Sequence, residues 1–231
     1  MENDSPSRAP EASLYRLSMY HCHLLEAMRT DGQQRITSLD FARELGIREE
    51  TVRRDLSYVG GSGTRGSGYD SQTLLTALQE YLGISDAYPV IVVGTRCVFE
   101  ALRVLFPAET YGLRQVAYFS ENPEDVGLEV DGHVIRHTGE LPTLDPELGI
   151  QIALVAVSPK WVNLTLDLLA KAGIRGVLLL TSTLHLERPE GLEIIHLRMP
   201  CDLKSLACQT LHGWESSGSG TLPRIKDVQS R

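Results

Sequence analysis

The sequence predicts an α/β protein: an N-terminal winged helix-turn-helix domain, a parallel-sheet domain, and a C-terminal helix. Three observations carry that expectation. Three helical segments crowd into the first sixty residues and end on an arginine-rich helix with a glycine-punctuated sequel, IREETVRRDLSYVGGSGTRGSGY (47–69). From residue 89 onward apolar runs alternate with amphipathic segments, the pattern of a parallel sheet covered by helices on both faces. A last amphipathic segment, MPCDLKSLACQTLHGW, follows the final apolar run.

The N-terminal elements follow from spacing and capping signals. Leu14, Leu17, Leu24, Leu25 and Met28 recur at near-helical intervals and predict a first helix over 13–30. Ser38 is read as the cap of a short helix, SLDFARELG, which Gly46 terminates. Ile47 leads into REETVRRDLSYV, where Val52, Leu56 and Val59 share one face. The opposite face is read as carrying Arg48, Glu50, Thr51, Arg54 and Asp55.

A short turn between two such helices suits a helix that enters a DNA groove. Arginine can bridge guanine O6 and N7 or clamp a phosphate, and Thr51 and Ser57 can do either more weakly. Gly60, Gly61, Gly63, Gly66 and Gly68 allow the tight turns of a hairpin tip, with Arg65 placed for a minor-groove contact. A surface helix followed by a flexible linker is the plainer alternative, and it leaves the preceding three-helix unit unexplained.

Bulk properties limit the classes. A chain of 231 residues, 42% hydrophobic and 23% charged, has the composition of an ordinary soluble protein and can bury two modest cores. No apolar run reaches the roughly 18 residues of a membrane span. The opening MENDSPSRAPEAS lacks the apolar centre of a secretory signal, so a cytoplasmic location is expected. The net charge is −8, and nine arginines against twelve acidic residues leave the part up to Ser85 at −3. A DNA reader of this balance depends on a local positive surface, here Arg48, Arg53, Arg54 and Arg65, doubled in a dimer and steeply salt-dependent. Cys22, Cys97, Cys201 and Cys208 form no CxxC pair. His21, Cys22 and His23 point about 100° apart in turn on a helix, so no metal site is expected.

The second domain opens with PVIVVGTRCVFEALRVLF, a strand, a glycine and an amphipathic helix, as in a nucleotide-binding Rossmann fold. QVAYFS, IQIALVAV, GVLLLT and LEIIHL are further strands, and LTLDLLAKAG is a helix between them. The Rossmann turn G-x-G-x-x-G uses its second glycine for the diphosphate and its third for helix–strand packing. Here Gly94-Thr95-Arg96-Cys97-Val98-Phe99 retains only the first. Arg96 obstructs a diphosphate yet is itself able to hold an anion. Phe99 is expected to push the helix off the sheet or to fill adenosine space. The predicted division is an arm over 1–12, a winged-helix domain over 13–85, a Rossmann-like domain over 86–199, a dimerisation helix over 200–214 and a disordered tail over 215–231.

The segment from Tyr15-Arg16-Leu17 through Gly83 resembles the winged-helix domain of the Rex redox-sensing repressors. The matching pieces are YRLSMYHCHLLEAM, ITSLDFARELGI, VRRDLSYVG, GTRGSGY and LLTALQEYLGI, nearly gap-free over about 70 residues. The resemblance implies that Arg53 and Arg54 lie on the recognition helix, that Arg65 is the wing arginine and that Tyr69 closes the wing. It also implies an NADH- or NAD-binding second domain whose redox state controls DNA binding. The C-terminal helix would cross over to the partner in a domain-swapped homodimer, and this dimer would bind an A/T-rich inverted repeat as a repressor. The plainer alternative for that helix is docking on its own sheet.

The sequence departs from the family at several points. Ser62 and Thr64 replace the wing aromatic and lysine; Arg96 and Phe99 replace glycines. Ser120 stands where the ribose-binding Asp follows Phe, and Glu121, on a strand, would face the other side. Val157-Ser158-Pro159 replaces V-P-A, and Leu179-Leu180-Thr181-Ser182 replaces N-F-A-P. The candidate cofactor residues are therefore Gly94, Thr95, Arg96, Cys97, Val98, Phe99, Ser120, Val157 and Ser158.

Three readings of this pattern remain: an NAD(H) site weakened or lost, NAD(H) held in an altered pose, or another anionic nucleotide, such as one with a 2′-phosphate. A small nucleotide-dependent oxidoreductase is a remote fourth. It would need an acid/base over the nicotinamide, and His133, His137, His185 and His196 sit in no motif linked to Gly94.

Overall fold

Capping side chains and apolar spacing account for the helices of the first unit. The computed structural model describes residues 9–60, 68–84, 87–105 and 107–212. In it α1 spans Glu11–Asp31, α2 Ser38–Leu45, α3 Glu49–Ser57 and α4 Ser71–Leu82. Ser38 is not the cap of α2. Thr37 is, since its hydroxyl accepts the Asp40 N–H at 3.2 Å while the Asp40 carboxylate accepts the Thr37 N–H at 2.7 Å. Ser38 instead opens the helix and donates its hydroxyl to Glu49 at 2.8 Å.

Two short strands, β1 (Arg35–Ile36) and β2 (Tyr69–Asp70), pair antiparallel with Ile36 opposite Tyr69. Gly68 precedes β2 at φ +68°, and a Cβ there would lie 2.6 Å from the Ile36 carbonyl oxygen. Only glycine fits that approach. Asp70 then caps α4 by accepting the Thr73 N–H at 2.9 Å. The glycine-rich tip expected between Gly61 and Ser67, with Arg65, lies outside the described residues. Leu17, Tyr20, Leu24, Ile36, Phe41, Val52, Leu56 and Leu78 are fully buried and form the unit's core.

The second unit is a six-stranded parallel sheet. Its strands are β3 (Tyr88–Gly94), β4 (Leu113–Ser120), β7 (Arg136–His137), β8 (Ile152–Ala156), β9 (Gly176–Leu179) and β10 (Glu193–His196). The hairpin β5 (Glu129–Val130) and β6 (His133–Val134) intervenes, turned by Asp131 at φ 51° and Gly132 at φ 76°. The spatial order β7-β4-β3-β8-β9-β10 is the doubly wound 3-2-1-4-5-6 arrangement. Its topological switch falls between β3 and β8, the place where such sheets receive ligands.

Side-chain alternation assigns the faces. Ile91, Val93, Phe119, Ala153, Val155, Val177 and Leu179 pack with Val162, Leu166 and Leu169 of α6 (Val162–Lys171). Val92 and Tyr118 point the other way and pack with Phe99 of α5 (Arg96–Leu105). Coverage of both faces is incomplete in the single chain: Ile152 and Ile195 stay 38% and 64% exposed. The last helix, α7 (Met199–His212), shows Leu203, Leu206 and Leu211 to solvent at 65%, 57% and 80%, so it is not docked on its own sheet.

Candidate DNA-reading surface and nucleotide crevice

Helix α3 presents a buried side and an open side. Val52, Asp55 and Leu56 are buried, whereas Glu50, Arg53, Arg54 and Ser57 are exposed. Asp55 therefore does not belong to the outer face where its polarity placed it. Arg16 grips it with two hydrogen bonds, Nε to Oδ2 at 2.6 Å and Nη2 to Oδ1 at 2.9 Å, and the Tyr20 hydroxyl adds a third at 3.0 Å. Burial pushes the Asp55 carboxyl up, but the hydrogen bonds from Arg16, Ser13 and Tyr20 outweigh it and hold the group below its ordinary value. This clamp ties α3 to α1 from beneath and leaves the outer face free.

On that face Arg53 donates to Glu49 at 2.6 Å and to Ser38 at 3.3 Å, which links α3 to α2. Arg48 is exposed at the start of α3, Thr51 is half-buried beside it, and Ser57 donates to the Arg54 carbonyl at 2.6 Å. Arg48 and Arg54 form no ion pair among the described residues. Tyr69 is half-buried; burial raises its hydroxyl pKa, while the charges of Arg53 and Glu49 act on it in opposite senses. Arg48, Thr51, Arg53, Arg54, Ser57 and Tyr69 thus share one unit, and all but Tyr69 belong to α3 or its cap.

The crevice at the sheet's switch point is built from three turns. Gly94 ends β3, and a Cβ there would lie 3.1 Å from the Ala156 carbonyl oxygen and 3.4 Å from Val98, a tight approach that a side chain would fit only if these neighbours gave way by a few tenths of an ångström. Thr95 and Val98 are half-buried, and Cys97 is exposed. Phe99 does not line the crevice. It is fully buried 5.0 Å from the Tyr118 ring, wedged between α5 and the sheet where glycine would let the helix close in. Val157 is likewise a core residue, 3% exposed. The Arg96 guanidinium lies along its own helix, 2.8 Å from Glu100.

The loop after β4 makes contacts with both neighbouring turns. Ser120 is fully buried and donates to Asp125 Oδ2 at 3.0 Å. That same oxygen accepts the Arg96 backbone N–H at 3.1 Å, so Asp125 sits on the N-terminus of α5. Glu121 does not turn away from the crevice: its Oε1 accepts the Ser158 N–H at 3.2 Å. Because β3 lies between β4 and β8, this contact passes over the end of β3. Its other oxygen, Oε2, is buried without a hydrogen-bond partner among the described residues. Sequence reasoning missed Asp125 and misplaced Glu121. The available signal was the run of three acids in SENPEDVG, Glu121, Glu124 and Asp125, directly after the strand that lacks its terminal Asp.

A winged helix-turn-helix unit followed by a doubly wound sheet with a switch-point crevice defines a class of DNA-binding regulators that carry an effector domain. Residues 8–57 match the family model described as "Putative DNA-binding protein N-terminus". The chain is 36% identical to the redox-sensing transcriptional repressor Rex of Thermus thermophilus, over 74% of this chain and 80% of that protein. It is 31% identical to Rex 1 of Thermotoga maritima, over 70% of this chain and 77% of the relative. With Rex of Streptomyces coelicolor it shares 29% identity over 94% and 84% of the two chains. The crystal structure of RSP in complex with β-NAD+ and operator DNA shares the fold, with a TM-score of 0.75 and 23% identity over 89% of this chain and 94% of that one. The chain belongs to the Rex family of redox-sensing transcriptional repressors. Among the described residues no helix is long and apolar enough to cross a membrane, and no group of side chains is placed to hold a metal.

Proposed function

We propose that the chain is a homodimeric repressor that reads an A/T-rich inverted repeat and whose control by NAD(H) is weakened or lost. Arg48, Thr51, Arg53, Arg54, Ser57, Arg65 and Tyr69 carry the DNA contacts. The observation that supports this output best is the outer face of α3, with the part-buried Arg16–Asp55 pair holding the helix from beneath. The exposed leucines of α7 favour the homodimer, since a partner subunit would cover them.

NAD(H) fits the crevice poorly. The N–H of Arg96, which a phosphate would use, already serves Asp125, and Ser120 offers no carboxylate to ribose hydroxyls. Gly94, Thr95, Arg96, Ser120 and Ser158 frame what is left of the site, so a second reading keeps NAD(H) or another anionic nucleotide in an altered pose, with Arg96 turned inward as the anion's partner. Relatives are named as transcriptional repressors. The test of the output is fluorescence anisotropy with an A/T-rich palindrome. Arg54→Ala is expected to cost about 1–3 kcal/mol in affinity if it reads a base, or to lower the salt slope by about one if it holds a phosphate. A variant unchanged in both would remove α3 from the interface.

A further inference from the structure

We propose that Asp125 and Glu121 determine which effector this domain accepts, by closing the switch-point crevice with the chain's own carboxylates and so excluding a nucleotide diphosphate. The inference rests on the Rex-type reading and deepens its nucleotide side. A helix N-terminus at the end of the first strand of such a sheet is the usual seat of a diphosphate, because its free N–H groups and positive dipole end favour negative charge. Here an anion is already present and covalently attached. Asp125 is 8% exposed, accepts the Arg96 N–H at 3.1 Å, and is steadied by the Ser120 hydroxyl at 3.0 Å on the same oxygen. A diphosphate entering this place must displace that carboxylate or lie against its charge.

Glu121 reaches across the same end of the sheet from the β4 side. Its contact with Ser158 spans two strand spacings, roughly 10 Å, across the end of β3. Its Oε2, without a hydrogen-bond partner among the described residues, is an acceptor, which suits a donor and repels a phosphate oxygen. Both acids belong to the one loop that follows β4, so a single segment holds both barriers. Arg96 is not lost to an anion, because its pair with Glu100 is half-exposed and such pairs hold weakly. What stands between the crevice and a diphosphate is the pair of carboxylates.

Isothermal titration of the full-length chain with inorganic pyrophosphate and with NADH tests this on wild type, Asp125→Asn, Asp125→Ala and Asp125→Ala combined with Glu121→Gln. Operator binding is followed in parallel. Asp125→Ala is expected to tighten both probes by roughly tenfold or more, the scale of one charge-assisted contact. Asp125→Asn should gain less, since its amide oxygen still accepts the Arg96 N–H, and the double variant should gain most. The proposal is overturned if Asp125→Ala binds operator yet takes pyrophosphate and NADH no better than wild type, or if wild type already binds them as tightly. Should Asp125→Ala fail to fold, Asp125→Asn decides by the same comparison, a gain supporting the proposal and no gain overturning it. Wild type that binds no palindromic operator would instead count against the Rex-type reading.

Discussion

In the first unit Arg16 of α1 grips Asp55 on the buried side of α3; in the second, Asp125 grips α5 from its N-terminal end. Both are buried carboxylates that fasten a helix, and both accept more than one hydrogen bond. They differ in which part of the helix they use up. Asp55 engages a face that no ligand needs, so the arginines opposite remain available. Asp125 engages the backbone N–H that a phosphate would take. The comparison teaches that the same local chemistry, a buried acid holding a helix, preserves a binding surface when it acts from beneath and consumes one when it acts at the terminus.

The largest effect that could break this comparison comes from Arg16→Ala. It leaves Asp55 fully buried and without its cation, and loss of one partner of such a pair costs about 3–5 kcal/mol. Denaturant unfolding should show that loss in the first unit, together with loss of operator binding. A variant that kept its stability would show that the clamp does not hold α3. Phe99→Ala comes next, at about 3 kcal/mol or more for an emptied aromatic site. It should destabilise the second unit and leave nucleotide binding unchanged, because Phe99 lies beneath α5 and outside the crevice; a gain in NADH affinity would place it back among the barriers.

The smallest effect is one of pH. His21 is 2% exposed, its Nε2 has no hydrogen-bond partner among the described residues, and burial lowers its pKa below the ordinary 6.5. A histidine depressed in this way contributes stability that is complete above about 6.5 and is lost as pH falls below it, by at most ~1.4 kcal/mol per pH unit. Asp55, also depressed, keeps its contribution until the pH drops beneath the ordinary carboxylate range. Urea unfolding of wild type and His21→Leu between pH 7.5 and 5.5 should therefore diverge only on the acid side. Parallel curves would mean that His21 is already satisfied.

Much of this architecture was legible because it is written in local patterns. The strands β3, β4, β8, β9 and β10 and the helix α6 follow from apolar runs and spacing, and Gly94 from its place in a strand–helix turn, whereas the two-residue β5, β6 and β7 carry no apolar run that announces them. Three of the errors share one physical cause. Asp55 looked like an outward residue because its partner, Arg16, lies 39 positions away. Asp125 was invisible because its purpose depends on Arg96, 29 positions earlier, and Glu121 was misplaced because it reaches 37 positions onward to Ser158. Thr37 and Ser38 are both competent caps, and only the hydrogen bonds to Asp40 choose between them. Polar residues that serve distant partners carry no periodic signature.

The central claim is a working DNA reader joined to a nucleotide crevice that its own side chains have closed. The most direct measurement is anisotropy of the full-length wild-type protein on its palindromic operator across an NADH titration, with the Asp125→Ala variant beside it. The account predicts an operator Kd that NADH leaves unchanged in wild type and begins to shift in the variant. Release of the operator by NADH from the wild-type protein would contradict it.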